Sequence, residues 1–266
     1  MFAVGHLALG HICGSTTSKA LKTNLNLPLV LVLSTIPDID ILIRHILIGQ
    51  LQHRGPTHSI ITATIFFIPL FIIYKKKALP YFAAFTQHFL IGDLIPGGRV
   101  QLFWPISMQY YGRETSITDP ANMTAEWILF TISILIMLKT NQIKQFFKPH
   151  HSNLLLTIPV LTVLMPTLTG YPLNVPIEMI PPHLIYTTIF STAIILSTSN
   201  IFATKKKNMN HNNAFPQAKN NDKTSKYTNQ LRPPWPTAHA YQSTRLPAQL
   251  NKNSSRKSTT TRLTKY

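Results

Sequence analysis

Long apolar runs that end in clusters of lysine constrain this chain more than any other feature. Residues 59–74 are apolar and end at lysines 75–77, and residues 184–202 end at lysines 205–207. Hydrophobic residues make up 45% of the chain and charged residues only 12%, roughly half of the usual charged share. No two-residue alternation is long enough for a barrel, so helices are the remaining way to satisfy the backbone in lipid. The sequence therefore predicts an all-α membrane protein.

The apolar runs predict a polytopic transmembrane helical bundle with about six or seven membrane segments. The runs are residues 2–18, 27–48, 59–74, 79–95, 125–138, 153–170 and 184–202. Because lysine and arginine favour the cytoplasmic side, the lysine clusters place the C-terminus in the cytoplasm and the loop 96–124 outside. We therefore expect a multi-pass protein of the cell membrane, with the lipid bilayer as its first partner.

The C-terminal stretch differs in composition from the rest of the chain. Residues 203–266 hold thirteen of the 25 Lys and Arg residues but only one acid, Asp222. Few large aliphatic residues occur there, so we expect a disordered basic tail after a membrane-embedded domain at residues 1–202. Such a tail could meet anionic lipid headgroups. Nucleic-acid binding is less favoured than a solvated tail that sets topology, and the sequence leaves protein partners unknown.

Acids and histidines are concentrated at the ends of the apolar runs. Because the topology was set by lysine and arginine alone, the shared outer position of these side chains is a separate observation. An ionised side chain at membrane depth is costly unless it is paired or binds a cation. The residues are His6, Asp38, Asp40, His53, His58, His88 and Asp93.

Imidazole nitrogen and carboxylate oxygen suit a divalent metal, with zinc first and manganese as a further candidate. Cys13 is the only cysteine, so a thiolate site is not expected. A buried hydrogen-bonded network that joins the helices is the alternative. His88 and Asp93 are five residues apart, about 140° around an ideal helix, so either the helix is bulged or one of them is not a ligand.

Two arginines and two hydroxyl residues flank the candidate ligands. Arg54 and Arg99 are candidates to hold an anionic substrate group such as phosphate, or else to pair with Asp38, Asp40 or Asp93. Thr57 and Ser59 are predicted to cap the helix that follows rather than to act as nucleophiles.

The motifs together resemble a known family, the YdjM-like, LexA-binding inner-membrane proteins, described as predicted membrane-bound metal-dependent hydrolases. The resemblance is strongest over residues 1–110 and continues by hydropathy to residue 202. In that family the late His and Asp are usually four residues apart. The resemblance rests on these residues and motifs: His6, Pro37-Asp38-Ile39-Asp40, His53-Arg54-Gly55-Pro56-Thr57-His58-Ser59, His88 to Asp93, Pro96-Gly97-Gly98 and Trp104-Pro105.

The resemblance implies a metal-dependent hydrolase. A more distant similarity to zinc-dependent phospholipase C enzymes implies a phosphoester or lipid-derived substrate. We expect Asp38, Asp40 and Arg54 to take part in catalysis at the outer membrane face. The alternative is a non-enzymatic metal-binding scaffold or a transporter.

Overall fold

A computed structural model describes residues 1–41, 54–96, 98–170 and 174–214. Within these ranges the regular elements are helices, and the one β-type pairing is an isolated bridge between Val100 and Tyr111. The predicted all-α class is therefore confirmed. His53, residues 42–48 of the apolar run 27–48 and most of the basic tail lie outside the described residues.

The first four helices hold most of the candidate ligands. Helix α1 is Ala3–Ala20 and α2 is Leu27–Thr35, which continues as a 3-10 turn at Ile36–Asp38. Helix α3 is Ile60–Tyr74, and α4 is Leu79–Gln87, which continues as a π-helical turn at His88–Asp93. Proline at the second position of α2 and α4 fits the first turn of each helix.

The last three helices are the longest apolar ones. Helix α5 is Pro120–Lys139, α6 is the helical segment His151–Leu168, and α7 is Ile180–Ala214. Helix α6 contains a π-helical stretch at Val160–Leu164. Helix α7 continues past residue 202, where the sequence predicted the start of the tail.

Three stretches of the described chain are long and apolar enough to cross a membrane: Pro120–Lys139, His151–Leu168 and Ile177–Lys206. The 15 residues of α3 span only about 22 Å, less than the hydrocarbon thickness of about 30 Å. Even so, α3 exposes a large apolar surface, with Ile72 71% and Ile73 66% exposed. An apolar outer face of this size is typical of a helix that contacts lipid.

Helix α1 forms the centre of the bundle. It packs against α2, α4 and α5, and most of its residues are buried. Two glycines allow α2 to come close, because a Cβ on Gly10 would lie 2.2 Å from the Cβ of Ser34, and one on Gly14 would lie 2.9 Å from Val30. This close approach fixes the position of His6 relative to the end of α2.

Candidate functional site

Four separate parts of the chain bring histidines and acids to one end of the bundle. His6 comes from the second turn of α1, and Asp38 from the turn that follows α2. His58 comes from a short 3-10 turn, Pro56–His58, just before α3. His88 and Asp93 begin and end the π-helical turn after α4. His6, His58, His88 and Asp93 are all buried.

The structure confirms one of the two expectations for His88 and Asp93, namely that the helix is bulged between them. The backbone N–H of Leu94 donates to the carbonyl of Phe89, five residues earlier, at 3.1 Å. A π-helical turn needs the extra residue that separates this pair from a spacing of four. His88 Nε2 consequently lies 3.8 Å from Asp93 Oδ2. The helix is bulged, and both side chains reach the same point.

Nitrogen and oxygen atoms from four residues lie in pairs at separations close to those between the ligands of a metal ion. His88 Nε2 is 3.3 Å from Asp38 Oδ1, and His58 Nε2 is 3.4 Å from Asp93 Oδ2. His58 Nε2 is also 3.7 Å from Asp38 Oδ1. Ligand atoms held at the zinc distances for nitrogen and oxygen in a tetrahedron are about 3.3–3.6 Å apart. The donor set therefore fits a zinc-sized cation.

The proton positions also fit a cation. His88 Nδ1 donates to the carbonyl oxygen of Ser34 at 2.7 Å, so in the neutral ring the lone pair is on Nε2. Within the described residues, His88 Nε2 and Asp93 Oδ2 are buried and make no hydrogen bond of acceptable geometry. A nitrogen lone pair that faces carboxylate oxygens needs a proton or a metal ion between them. Donation from the other ring nitrogen to a carbonyl is a common arrangement for metal-binding histidine.

His6 adds a fifth candidate ligand. Its ring stacks on that of His88 with centroids 3.7 Å apart, and its Nδ1 is buried without a hydrogen-bond partner among the described residues. His6, Asp38 and His88 can each offer a ligand atom within 4.8 Å of the others, as can His58, His88 and Asp93. Both groups use His88, so they lie next to each other.

Asp40 lies behind His58 and makes contacts of its own. The Thr57 hydroxyl donates its one proton to Asp40 Oδ2 at 2.7 Å. The same oxygen therefore accepts a hydrogen bond from His58 Nδ1 at 2.8 Å. The backbone N–H of Arg54 also donates to Asp40, at 3.2 Å. This chain of contacts orients the His58 ring so that its Nε2 faces Asp38 and Asp93. Asp40 is placed to support a ligand rather than in either ligand group.

The hydroxyl residues beside the site differ in what they do. The Ser59 side chain accepts from the backbone N–H groups of Ile61 and Thr62, so the predicted cap of α3 is confirmed for Ser59. Thr57 does not cap the helix, because its hydroxyl bridges Asp40 and His58.

Arg54 lies at the mouth of the site. Its Nη2 is 3.3 Å from Asp93 Oδ1, and its side chain is 25% exposed. A cavity of about 90 Å³ opens beside it and is also lined by His6, Asp38 and Asp93. Gly98 makes room for the guanidinium, because a Cβ there would lie 2.5 Å from Arg54 Nη1. Arg54 is therefore the arginine that a small anion in this cavity would meet.

Arg99 lies apart from this cavity. Its Nη1 is 2.6 Å from Glu114 Oε1, and both side chains are largely exposed. Arg99 does not line the cavity beside Arg54. The expected alternative, an ion pair with Asp38, Asp40 or Asp93, is seen for Arg54, which contacts Asp93, whereas Arg99 pairs with Glu114 instead.

His11 shows what a satisfied buried histidine looks like in this protein. Its Nε2 donates to Gln142 Oε1 at 2.7 Å, so its Nδ1 accepts from the Ser133 hydroxyl at 2.8 Å. Both ring nitrogens have partners, which is the pattern of a network that joins helices. By contrast, His6 and His88 each have a buried nitrogen that finds no hydrogen-bond partner in the part of the chain that the structure describes.

Sequence reasoning missed two residues that place His6. Glu126 is fully buried, and its carboxylate accepts from the backbone N–H of Phe2 at 2.8 Å and of Gly5 at 3.1 Å. Those groups belong to the start of α1, where a negative charge is favourable. Gly92 gives His6 its space, because a Cβ there would lie 2.6 Å from the imidazole. Two features of the sequence could have pointed to these residues. Glu126 is an acid inside an apolar run, and Gly92 is a glycine one residue before Asp93.

The comparisons with known proteins agree with the motifs. A family model described as YdjM inner membrane protein matches residues 1–173, which include each of the candidate ligands. No curated protein and no solved structure matches the chain. The match covers well over half of the sequence, so the chain belongs to the YdjM family of inner membrane proteins.

Proposed function

We propose that this membrane protein is a metal-dependent hydrolase that acts on a phosphoester or lipid-derived substrate at the outer membrane face. The observation that carries the proposal is the convergence of Asp38, His58, His88 and Asp93, whose nitrogen and oxygen atoms lie 3.3–3.8 Å apart in four pairs. Among the described residues, His88 Nε2 and Asp93 Oδ2 are also buried without a hydrogen-bond partner. Zinc is the proposed metal because the donors are nitrogen and oxygen at zinc-like separations, and manganese is the second choice.

The proposal gives each side chain a separate role. His58, His88 and Asp93 hold the metal ion, and His6, which forms a second ligand group with Asp38 and His88, adds a further ligand. Asp38 lines the cavity and is 16% exposed in its side chain, so it can both bind metal and take a proton from an incoming water. A divalent metal at such a site supplies charge that polarises a phosphoryl oxygen and makes water a better nucleophile.

Arg54 and Asp40 complete the catalytic set. The Arg54 guanidinium has the geometry to bind two oxygens of a phosphoryl group. Its position beside the cavity supports this role over one for Arg99. Asp40 acts through Thr57 and His58, and so tunes and orients a ligand.

The test compares metal content and hydrolysis in one set of proteins. Purified protein should contain, or take up on titration with zinc or manganese, about one metal ion, and it should hydrolyse bis-p-nitrophenyl phosphate in a metal-dependent way. Asp38→Asn should abolish hydrolysis and lower metal affinity. Glu114→Gln is the matched control, because Glu114 is an exposed acid paired with Arg99. Protein that takes up neither metal would refute the proposal.

A non-enzymatic metal-binding protein remains the second candidate, because the cluster is closely covered. His58 and His88 are fully buried and Asp93 is 2% exposed. Structural metal sites are closed, whereas catalytic ones keep a position open for substrate. Stoichiometric metal with no hydrolysis of any phosphoester tested would favour the scaffold or transporter.

The proposal includes the orientation in the membrane. We place six to seven segments in the bilayer, the C-terminus in the cytoplasm with its basic tail near anionic headgroups, and the cluster at the outer face. With Cys13 replaced, a cysteine at Ser116 should react with an impermeant thiol reagent in intact cells, and one at Lys76 should not. The opposite pattern would reverse the orientation.

A further inference from the structure

The end of the bundle opposite the metal cluster contains a basic groove. We define the basic groove by Lys19, Lys22, Lys139, Thr16, Gln142 and Gln145, which line a cavity of about 860 Å³. His6 and Lys19 lie thirteen residues apart on α1, so the groove is about 20 Å from the metal cluster along the helix axis. The groove is therefore a separate site.

Charge is strongly separated between the two ends. The described acids lie in the metal cluster, in the loop that follows α4, or at the starts of α5 and α7. These helix starts are at the same end of the bundle as the metal cluster. Of the described acids, none lines the basic groove or the cavity of about 470 Å³ beside it, to which Lys148 and His150 contribute. Within the described residues, the groove's three lysines form no ion pair. The groove therefore presents uncompensated positive charge.

Helix ends explain only part of this charge. Lys19 and Lys139 lie in the last turns of α1 and α5, where a cation balances the helix dipole. Lys22 follows the end of α1 with a φ of 52°, a left-handed conformation that favours glycine at this position. A lysine there takes an uncommon backbone conformation and lines the groove from its far side.

The groove also contains polar groups that complement an anion. Gln142 accepts from His11 through its carbonyl oxygen, which leaves its amide N–H groups to donate elsewhere. Gln145 is exposed and lines both cavities. Lysine cations with neighbouring amide donors are the groups that bind phosphate.

We propose that the basic groove is a binding site for a phosphate-bearing anion, supplied either by the headgroup of an anionic phospholipid or by a soluble phosphate compound. Basic pockets between membrane helices at the cytoplasmic side bind anionic headgroups in general. The lysines place the groove on that side by the same rule that orients the chain. The site does not depend on hydrolysis at the metal cluster.

The test uses the full chain in a nonionic detergent, with binding of phosphatidylglycerol and phosphatidylcholine measured by native mass spectrometry. The groove variant is Lys19→Gln/Lys22→Gln/Lys139→Gln. The control is Lys75→Gln/Lys76→Gln/Lys77→Gln, which removes the same charge from exposed positions outside the groove. We expect the groove variant to bind phosphatidylglycerol at least about tenfold more weakly than the control does.

Two further arms separate the possible outcomes. Orthophosphate that displaces phosphatidylglycerol from the natural protein identifies the soluble source as well, whereas no displacement identifies the lipid headgroup. A Lys→Arg version of the groove variant should restore binding, which shows that charge and not folding was lost. Equal losses in the groove variant and the control, or no preference for phosphatidylglycerol over phosphatidylcholine, would overturn the proposal.

Discussion

His88 Nε2 and Asp93 Oδ2 lie 3.8 Å apart because a single π-helical turn joins the two residues. On a regular α-helix a pair five residues apart points in directions about 140° different. The π-helical turn adds one residue without changing which face the flanking residues occupy. The spacing of five is therefore structurally equivalent here to the spacing of four found in the resembling family.

This equivalence predicts that one residue can be removed from the turn. Deleting Ile91, which is 41% exposed, should convert the turn to regular α-helix and leave His88 and Asp93 four residues apart on one face. Metal content measured on the purified variant should stay close to that of the natural protein. Loss of metal in protein that remains folded would contradict the interpretation.

The matched control deletes a residue from the regular part of the same helix. Ala83 lies in Leu79–Gln87, and removing it rotates everything after it by about 100° relative to what precedes it. The Ala83 deletion should lose metal and thermal stability together. A similar tolerance of both deletions would mean that α4 simply accommodates any shift.

Much of the fold followed from hydropathy, since each predicted apolar run overlaps a helix in the described residues, and three of these helices are long and apolar enough to cross a membrane. The convergence of Asp38, His58, His88 and Asp93 followed from topology, because alternate ends of antiparallel helices meet. Topology does not give distances, however. It could not separate Asp40, which supports His58, from Asp38, which lies two residues earlier and lines the cavity.

Other features depend on tertiary contacts that one sequence does not reveal. Helical spacing permits the π-helical turn at His88–Asp93 but does not require it. Glu126 accepts hydrogen bonds from residues more than one hundred positions away, so its partners could not be read locally. The backbone carbonyl of Ser34 sets the His88 tautomer, and its side chain plays no part in that contact.

Gly92→Ala should damage the metal site through His6. The added Cβ would lie 2.6 Å from the imidazole, which is already stacked on His88 and has little room to move. Overpacking of this kind costs about 1–3 kcal/mol of stability. We expect lower metal affinity as well as a lower melting temperature, measured by metal titration and thermal unfolding.

Gly14→Ala separates the packing effect from the metal effect. Gly14 lies in α1, like His6, but far from the metal cluster. A Cβ at this position would lie 2.9 Å from Val30 of α2. It should reduce stability while metal affinity stays unchanged. If Gly92→Ala behaves in the same way as Gly14→Ala, His6 does not contribute to the centre.

Thr57→Val should weaken metal binding without touching a ligand. Valine keeps the side-chain shape but removes the hydroxyl that joins Asp40 to His58 Nδ1. Loss of such a supporting contact typically costs about 10–100-fold in metal affinity. The measurement is a competition titration against a zinc chelator.

Thr57→Ser is the control for this substitution, because it retains the hydroxyl and should keep metal affinity near the natural value. A Thr57→Val protein with unchanged affinity would show that the contact between Thr57 and His58 is structural only. Equal losses in the valine and serine variants would point to the missing methyl group instead.

Arg54→Ala should weaken binding of an anionic substrate more than it weakens metal binding. The guanidinium stays protonated and offers no lone pair to a metal, so it cannot be a ligand. Its backbone N–H, which donates to Asp40, survives the substitution. Removing charge-assisted hydrogen bonds worth about 1.5–3 kcal/mol should raise the KM for a phosphodiester about tenfold to a hundredfold.

Arg99→Ala, which removes an exposed partner of Glu114, should leave KM and metal content unchanged. A larger effect on KM from Arg99→Ala than from Arg54→Ala would show that substrate approaches over the loop after α4 and not through the cavity beside Asp38.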